Sequence, residues 1–350
     1  MDFISEIRKI AENIRFAEAN RKKLAEFLRS VNGQINLIQK SGPIDLGKIK
    51  IAGVDGGIVK KSLHGFDLIL ARAAGVCFSF DNNKVASASY YPAKVPSPIP
   101  YTLESVTDMD FAYFASIIRQ SLEVATARKC IEKFQPDILL MDGSIVPHYT
   151  TKPANVSAAF ANYEELMANY QKLYKEARQA GVILAGVVED SRSDRLAGLI
   201  KNDLLAKLDH AVIPKVITTL DKSRDTNLLY WTLERNERTY TFDYTTDLAD
   251  HPILKDFEQK TFFSFYLKTA KWDRPVRVDF MEKEQADKLA SVLLTISGQH
   301  SRYGFPSVLI EADNVAKLSE QELDNFYSYI LKYAGNMPSI MKLRREQRPF

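Results

Sequence analysis

Two aspartates in similar surroundings are the first residues in this sequence that could carry out chemistry. Asp55 follows the largely apolar stretch Lys48–Val54 and precedes two glycines, and Asp142 follows Ile138–Met141 and precedes one glycine. Short apolar runs that end in turn residues are typical of buried strands, so each aspartate is predicted to be the last residue of a strand. Two carboxylates at one edge of a sheet favour a site for Mg²⁺ or Mn²⁺, which prefer oxygen ligands.

A pair of divalent ions about 4 Å apart can activate water and stabilise the leaving oxygen in phosphodiester hydrolysis, and this requires further carboxylates. Glu123, on the helix between the two strands, is predicted as the third ligand, with Glu132 and then Glu104 as alternatives. Asp313, on a late helix, is predicted as the fourth. Each of these residues also has an ordinary interpretation. Asp-Gly after a strand is common turn chemistry, and a helical glutamate is commonly a solvated charge.

Three further charged residues are weaker candidates. Asp190, after another apolar run, is either a ligand or a helix cap. Lys268 and Arg277 either hold phosphate groups or are ordinary charges on the faces of strands. The histidines are scattered and lack the spacing of a zinc site; they are His64, His148, His210, His251 and His300.

The elements that must position these residues follow from hydrophobic periodicity. A helix is predicted over residues 2–31, followed by three strands in close succession with a hairpin turn signal at Asp81–Asn83. Next come a helix over 108–133, the strand that ends at Asp142, a helix over 157–180 and a strand over 182–188. This order predicts a mixed α/β sheet flanked by helices. It is the order of the ribonuclease H-like fold, in which carboxylates sit on the first strand, the first helix, the fourth strand and a late helix.

The second half of the sequence is less regular. A helix is predicted over 195–210, strands over 262–268 and 275–280, and a helix over 282–297. The segment from Phe305 is predicted to start the last core helix, because Pro306 suits a first turn. The predicted organisation is an N-terminal helical segment over 1–44, one ribonuclease H-like domain over 45–335 and a basic C-terminal tail over 336–350. The helical additions at the two ends could build a dimer interface.

Composition limits the class of protein. The 350 residues carry a net charge of only +3, so any groove for nucleic acid must come from local clustering of basic residues. Cys77 and Cys130 are too few for a disulfide framework and are expected to be buried thiols. The N-terminus lacks the apolar core of a signal peptide, and no run reaches the roughly 18 apolar residues of a membrane span. A cytoplasmic protein with no membrane contact is therefore expected.

An aromatic and basic stretch in the second half could contact single-stranded DNA. It contains Tyr230, Trp231, Tyr240, Phe242 and Tyr244, with Arg235 and Arg238 nearby. Aromatic rings among basic residues can stack on the bases of a single strand. Such rings more often belong to a hydrophobic core, and both interpretations stay open.

In their joint order, the motifs resemble those of the NurA nuclease family of archaea and some bacteria. The resemblance extends over about residues 45–320, and the motifs that carry it are Gly53-Val-Asp55-Gly-Gly57, Leu122-Glu123 with Ala127, Leu140-Met-Asp142-Gly-Ser144, Gly186–Ser193, Phe265–Lys268, Arg277–Asp279, and Tyr303–Pro306 through Ala312-Asp313. Two positions depart from the family pattern. Glu189 replaces the usual lysine and so removes a cation that could face phosphate. Asp313 replaces the usual histidine but keeps a metal-capable side chain.

The resemblance implies a nuclease that depends on Mn²⁺, or Mg²⁺, with 5′→3′ exonuclease and single-strand endonuclease activity on single- and double-stranded DNA. The residues it implies as metal ligands are Asp55, Glu123, Asp142 and Asp313. The residues it implies as further catalytic groups are Asp190, Lys268 and Arg277, of which the last two would orient the scissile phosphate. It also implies a homodimer that docks on the hexameric ATPase HerA, a DNA translocase. The implied role is DNA end resection in recombinational repair, beside the Mre11–Rad50 complex.

Two other classes of protein remain open. The same superfold, with an Asp-Gly-Gly turn, occurs in sugar-kinase-like ATPases, which would bind or hydrolyse ATP without DNA. The replaced lysine and histidine also allow a non-catalytic subunit that docks on DNA and the ATPase.

Overall fold

The computed structural model of the chain describes residues 2–104, 106–147, 152–208, 213–245, 251–256, 261–335 and 337–344. The strands in these ranges are β1 (Ile38–Lys40), β2 (Lys48–Ser62), β3 (Asp67–Asp81), β4 (Lys84–Tyr91), β5 (Ile99–Leu103), β6 (Ile138–Asp142), β7 (Ile183–Val188), β8 (Glu237–Thr239), β9 (Phe242–Asp243), β10 (Phe263–Leu267) and β11 (Val276–Phe280). The α-helices are α1 (Phe3–Ser30), α2 (Asn32–Ile35), α3 (Asp108–Phe134), α4 (Phe160–Ala180), α5 (Arg195–Leu199), α6 (Ile213–Leu220), α7 (Asp225–Thr232), α8 (Ala286–Ile296), α9 (Ser307–Ala316) and α10 (Glu320–Ala334). None of the helices in this part of the chain has the length and apolar character needed to cross a membrane.

The chain divides into two compact units. Unit A comprises residues 46–186, 245–261 and 307–350, and unit B comprises residues 1–45, 187–244 and 262–306. Each unit is assembled from segments that are far apart in the sequence. The domain boundaries after residues 44 and 335 stay predictions.

Unit A is built on a mixed sheet with the strand order β7-β6-β2-β3-β4, and β5 pairs with β3 as well. The long hairpin of β2 and β3 is antiparallel from Lys48, opposite Asp81, to Ser62, opposite Asp67. β6 lies parallel to β2 on the other side, from Ile51 opposite Ile138 to Val54 opposite Met141. A meander extended by a parallel strand is the predicted arrangement, and the predicted fold class is confirmed.

Two helices cover opposite faces of this sheet. Adjacent residues of a strand point to opposite faces, whereas residues paired across an antiparallel ladder point to the same face. A Cβ on Gly53 would meet the backbone of α9, and a Cβ on Gly75, which pairs with Val54, would meet Cys130 on α3. Helix α4 packs against α3. The sheet is therefore sandwiched between helices, and α3 and α9 can both reach its strands closely.

Local chemistry explains why these elements begin and end where they do. The β3–β4 turn has Asn82 and Asn83 at φ 47° and 64°, the left-handed pair that a tight hairpin needs. The Thr107 side chain caps α3 by accepting from the Asp110 N–H at 3.1 Å. Gly181 ends α4 at φ 69°. Of these residues, the asparagines of the hairpin and Gly181 are the ones from which the boundaries were predicted.

Unit B is smaller and has an antiparallel sheet with the order β1-β8-β10-β11, while β9 also pairs with β10. The C-terminal half of α1 packs on α7 and buries Leu24 and Leu28 in the core of this unit. Arg29 of α1 forms an ion pair with Glu237 of β8 at 2.7 Å. The predicted N-terminal amphipathic helix is confirmed, and its C-terminal half is part of this unit's core.

The predicted end of the first long strand, at Asp55, is wrong. β2 does not stop at Asp55 but continues through Gly56 and Gly57 to Ser62, because β3 supplies hydrogen-bonding partners along the whole length. The segment from Phe305 is not the last core helix either. α10 follows it, begins with a capping box of Ser319 and Glu322, and buries Leu323.

Two further segments also differ from their predicted structure. The proline-rich connector after Tyr91 contains strand β5, and the predicted helix over 195–210 is α5 followed by one π turn and one 3₁₀ turn, up to residue 207. In the aromatic stretch, Phe242 is buried and Tyr240 packs on the same core of unit B. For these two rings the core interpretation is the correct one.

Gly75→Ala should lower the free energy of unfolding by about 1–3 kcal/mol, because its Cβ would lie 2.1 Å from the Cys130 sulfur in a closely packed core. Urea denaturation followed by circular dichroism measures this loss. Adding Cys130→Ala should recover part of it, since the obstructing sulfur is gone.

Gly198→Ala is the control, because nothing lies within 4 Å of its Cβ position and α-helical alanine is favourable. Wild-type stability in Gly75→Ala, or no recovery in the double variant, would contradict the close packing of β3 on α3.

Candidate metal centre

Asp55 and Asp142 lie side by side where the parallel pairing of β2 and β6 ends. The last pair in register is Val54 opposite Met141, and the two aspartates are the next residues on the two strands. Asp55 is buried and Asp142 is partly buried. The prediction that two strands would bring these carboxylates together is confirmed, although only β6 ends there.

Glu123 reaches this point from α3, and Gly56 is the residue that makes room for it. A Cβ on Gly56 would lie 2.6 Å from Glu123 Oε1. Any other residue at position 56 would therefore push the glutamate away. The glycine after Asp55 does not make a turn, as the sequence suggested, but leaves a gap through which a helical carboxylate approaches the strand.

The fourth predicted ligand, Asp313, is on α9, and its carboxylate lies close enough to Asp55 to act on the pKa of that residue. The Gly56 N–H also donates to Asp55 Oδ1 at 2.6 Å. Burial raises the pKa of Asp55, with a further increase from Asp313, while the Gly56 N–H and Arg119 act in the opposite direction.

Glu123 has the most strongly altered titration in the cluster. Burial raises its pKa to about 8, and the neighbouring Asp55 and Asp142 charges add to the increase, whereas Arg119 opposes it. The side chain of Glu123 is only 5% exposed. Because a buried carboxyl group beside two others resists ionisation, the cluster is short of positive charge.

Arg119 is a member of this site to which the sequence analysis assigned no role. Its Nη1 lies 2.5 Å from Glu123 Oε1. The charges of Glu123, Asp55 and Asp142 all raise the pKa of Arg119, with Glu123 as the largest cause. The available signal was the i,i+4 spacing of Arg119 and Glu123, which places the two side chains together on one face of α3.

The donor set fits a hard divalent cation. Carboxylate oxygens are the ligands that Mg²⁺ and Mn²⁺ prefer, and their crowding beside one guanidinium is the situation that a bound cation relieves. Over the described ranges, however, no three His, Cys, Asp or Glu side chains are already grouped to hold a metal ion. We attribute the lack of such a group to the contacts that the carboxylates make without metal: Glu123 faces Arg119, and Asp55 faces Gly56 and Asp313. The roles of these residues as ligands stay predictions.

The alternatives to Glu123 lie in different surroundings. Glu132 is 62% exposed and pairs with Lys129 at 2.6 Å on the same helix. Glu104 is exposed and directly follows β5. Of the three glutamates, Glu123 is the one whose charge interacts with Asp55 and Asp142.

Lys268 and Arg277, the predicted phosphate-orienting residues, belong to unit B and are engaged within it. Arg277 pairs with Asp279 at 2.9 Å and donates to Ser191 Oγ at 3.2 Å. Lys268 is buried, and its ammonium donates to the Tyr230 carbonyl at 3.3 Å and lies 4.1 Å from the centre of that ring. Burial lowers the pKa of Lys268 to about 8. Both cations thus already have protein partners, and their catalytic roles stay predictions.

Asp190 is also in unit B. It is largely exposed and forms an ion pair with Arg274. Glu189, which stands where the family usually has lysine, accepts a hydrogen bond from Tyr303, and burial raises its pKa. The helix-cap interpretation of Asp190 is wrong, because the next helix, α5, begins at Arg195 with Asp194 at its N-cap. The ligand role of Asp190 stays a prediction. His148 and His210 lie outside the described residues.

A mixed sheet flanked by helices, with Asp55 and Asp142 on two adjacent strands, is the arrangement predicted for the ribonuclease H-like fold. A profile of the NurA domain matches residues 49–318, about three quarters of the chain. The chain therefore belongs to the NurA family, as its motifs predict, and the prediction of a metal-dependent deoxyribonuclease is confirmed with it. No curated protein sequence matches the chain.

Solved structures support the fold. The NurA nuclease from Sulfolobus solfataricus is 17% identical with a TM-score of 0.56, and the match covers 93% of this chain and 98% of that one. A NurA structure bound to dAMP and manganese is 11% identical with a TM-score of 0.56, over 98% and 100% of the two chains. A further NurA structure is 11% identical with a TM-score of 0.58, over 97% and 99%. At these identities the similarity concerns the fold.

Glu123→Gln should flatten the pH dependence of stability of the metal-free protein. Because the folded pKa of about 8 exceeds the unfolded value of about 4.3, the folded state binds the extra proton between these values. Wild-type stability is therefore highest with Glu123 protonated, and this contribution is lost as the pH rises from about 5 through 8. Glutamine is neutral throughout and should not show the loss. Urea unfolding at several pH values in EDTA measures the difference.

Glu132→Gln is the matched control, since this exposed glutamate is on the same helix and should leave the wild-type pH dependence in place. An equal slope in wild type and Glu123→Gln would show that Glu123 is not a buried member of the carboxylate cluster.

Proposed function

We propose that this chain is a Mn²⁺-dependent deoxyribonuclease that hydrolyses phosphodiester bonds by two-metal-ion chemistry, with 5′→3′ exonuclease and single-strand endonuclease activities. The observation that carries the proposal is that Glu123 lies against Gly56 and interacts with Asp55 and Asp142 on the two paired strands, while Asp313 acts on Asp55. Manganese is preferred to Mg²⁺ because a NurA structure has been solved with manganese and dAMP.

Four carboxylates of unit A would hold the metal ions. Asp55 and Asp142 lie on paired strands, whose backbone hydrogen bonds keep their carboxylates in place. Glu123 and Asp313 come from helices α3 and α9 and would complete the set of oxygen ligands. When bound, the ions would supply the Lewis-acid chemistry and the lowered pKa of water that phosphodiester hydrolysis needs.

The residues of unit B would have supporting roles. Lys268 and Arg277 would contribute positive charge toward the scissile phosphate, and Asp190 would assist, as the family resemblance implies. Lys268 would first have to leave the backbone carbonyls of Tyr230 and Asp273, and Arg277 would act from its place beside Asp279.

In the cell, the protein would be cytoplasmic and act with a HerA-type hexameric ATPase in DNA end resection and recombinational repair, beside the Mre11–Rad50 complex. The family resemblance supports this role. A net charge of only +3 fits it, because a translocating partner can supply much of the attraction to DNA phosphates.

The protein would act as a homodimer, and the N-terminal half of α1 provides support. Phe3, Ile7, Ile10 and Ile14 are spaced by four, three and four residues, and all four are at least 46% exposed. This is the spacing of a coiled-coil seam, which would be covered by the same seam of a second copy.

Asp142→Asn should reduce cleavage of end-labelled single-stranded DNA by at least about 100-fold, because a lost ligand charge removes several kcal/mol of metal-dependent stabilisation. Wild type should cleave with Mn²⁺, more weakly with Mg²⁺, and not with EDTA. The end that carries the label reports the direction of attack.

Asp137→Asn is the matched control, because Asp137 lies just before the opposite end of the same strand and accepts the Lys50 N–H at 2.8 Å. DNA and ATPase binding without cleavage would instead favour the docking subunit. ATP hydrolysis without any action on DNA would favour the sugar-kinase-like ATPase.

Ile7→Glu combined with Ile14→Glu should convert the dimer to a monomer, because four charges would then face each other across the seam. Sedimentation velocity measures the change. Val95→Glu is the control, since Val95 is 84% exposed and lies in a connector of unit A. An unchanged dimer in the double variant would place the interface elsewhere.

A further inference from the structure

One guanidinium, that of Arg119, contacts Glu123 and interacts electrostatically with Asp55 and Asp142 of the candidate metal centre. We propose that Arg119 is a built-in counter-ion that holds Glu123 in the metal-free protein and changes partner when a divalent cation binds, so that its guanidinium becomes available to the DNA phosphate. This inference rests on the proposed nuclease function and adds a residue to which the family motifs quoted above assign no role.

The first support is that Arg119 binds the Glu123 oxygen that lies against the strand. Its Nη1 lies 2.5 Å from Glu123 Oε1, the same oxygen that would be 2.6 Å from a Cβ on Gly56. Glu123 therefore presents one and the same oxygen to the strand and to the arginine. A metal ion that binds this oxygen competes with the arginine for it.

The second support is a difference in freedom between the two partners. The Glu123 side chain is 5% exposed and is enclosed between α3 and β2, whereas the Arg119 side chain is 35% exposed. The glutamate cannot move away without leaving the cluster. The arginine can turn toward solvent, which is the side from which DNA must approach.

The third support is the balance of charge. Arg119 interacts electrostatically with Glu123, Asp55 and Asp142 together, so it offsets their repulsion while no metal is present. A divalent cation at the same carboxylates takes over that function and repels the guanidinium. Arg119 would then be a free cation beside the metals, and a planar guanidinium is well suited to bind phosphate oxygens.

An ion pair with a glutamate is not by itself evidence for this role, as a second arginine on α3 shows. Arg128 also pairs with a glutamate, but its two bonds to Glu176, at 2.9 and 2.6 Å, join α3 to α4. None of the groups that alter the pKa of Arg128 belongs to the carboxylate cluster. Arg128→Gln is therefore a matched control for Arg119→Gln.

The test is calorimetric titration of the full chain with MnCl₂, followed by titration of the Mn²⁺-loaded protein with dAMP. Arg119→Gln should bind Mn²⁺ about tenfold more tightly than wild type, the scale expected when one nearby unit charge is removed. It should also bind dAMP about tenfold more weakly, because the phosphate loses a charged partner. Arg119→Lys should be intermediate in both, and Arg128→Gln should match wild type.

Opposite changes in the two affinities separate this role from a structural one, since a damaged site would weaken both. Unchanged or weaker Mn²⁺ binding in Arg119→Gln would overturn the inference while leaving the nuclease proposal in place. Absence of Mn²⁺ binding by wild type itself would instead overturn the nuclease proposal.

A measurement on the wild-type chain reports the change of partner directly. The side-chain Nε–H signal of Arg119, assigned by its loss in Arg119→Lys, should shift in NMR spectra when Mg²⁺ is added. The Nε–H signal of Arg128 should stay in place. An unshifted Arg119 signal at saturating Mg²⁺ would mean that the arginine keeps its partner, and the inference would be wrong.

Discussion

Repulsion among carboxylates in a buried place is the constraint on which the rest of this structure depends. Asp55 and Glu123 are both buried, and each has its pKa raised by burial and by neighbouring negative charge. Two groups around them reduce that repulsion, the Gly56 N–H and the Arg119 guanidinium, whereas Asp313 adds to it. Nuclease chemistry requires this concentration of negative charge, and folding without metal requires that it be neutralised.

The architecture of unit A brings the carboxylates together in a way that no single element could. The β2–β6 pairing sets two aspartates next to each other, and helices from opposite faces each contribute one more carboxylate. Both helices come close only because β2 has glycines at positions 53 and 56, where a Cβ would meet α9 and Glu123. The glycines weaken the strand, and its long ladder with β3 compensates with backbone hydrogen bonds along its full length.

Unit B shows how charged residues that suggest catalysis can also hold a fold together. Ser264 donates to Asp279 at 2.7 Å, and Arg277 pairs with the same aspartate. Asp225, which sequence reasoning did not single out, is buried and accepts from Tyr266 Oη at 2.9 Å and from two backbone N–H groups of α5. A buried charge is tolerated only when it is paired in this way, so each of these residues supports the fold whatever else it does.

The sequence by itself determined the features that depend on neighbouring residues. Turn and cap chemistry at Asn82, Asn83 and Gly181 located the hairpin and the end of α4, and apolar runs located β3, β6 and β7. The two Asp-Gly motifs indicated the right pair of strands. The Ser319–Glu322 capping box was also readable, and α10 could have been predicted from it.

Only the tertiary structure decided which groups meet. Whether β2 stops at Asp55 or continues depends on its pairing with β3, and a glycine is compatible with both outcomes. The choice between Glu123 and Glu132 depends on which face of α3 lies against the sheet, and helical spacing alone does not set that orientation. The position of Arg119 among the carboxylates combines both effects. Periodicity is a local property, whereas burial and electrostatic interaction arise between segments that are distant in the sequence.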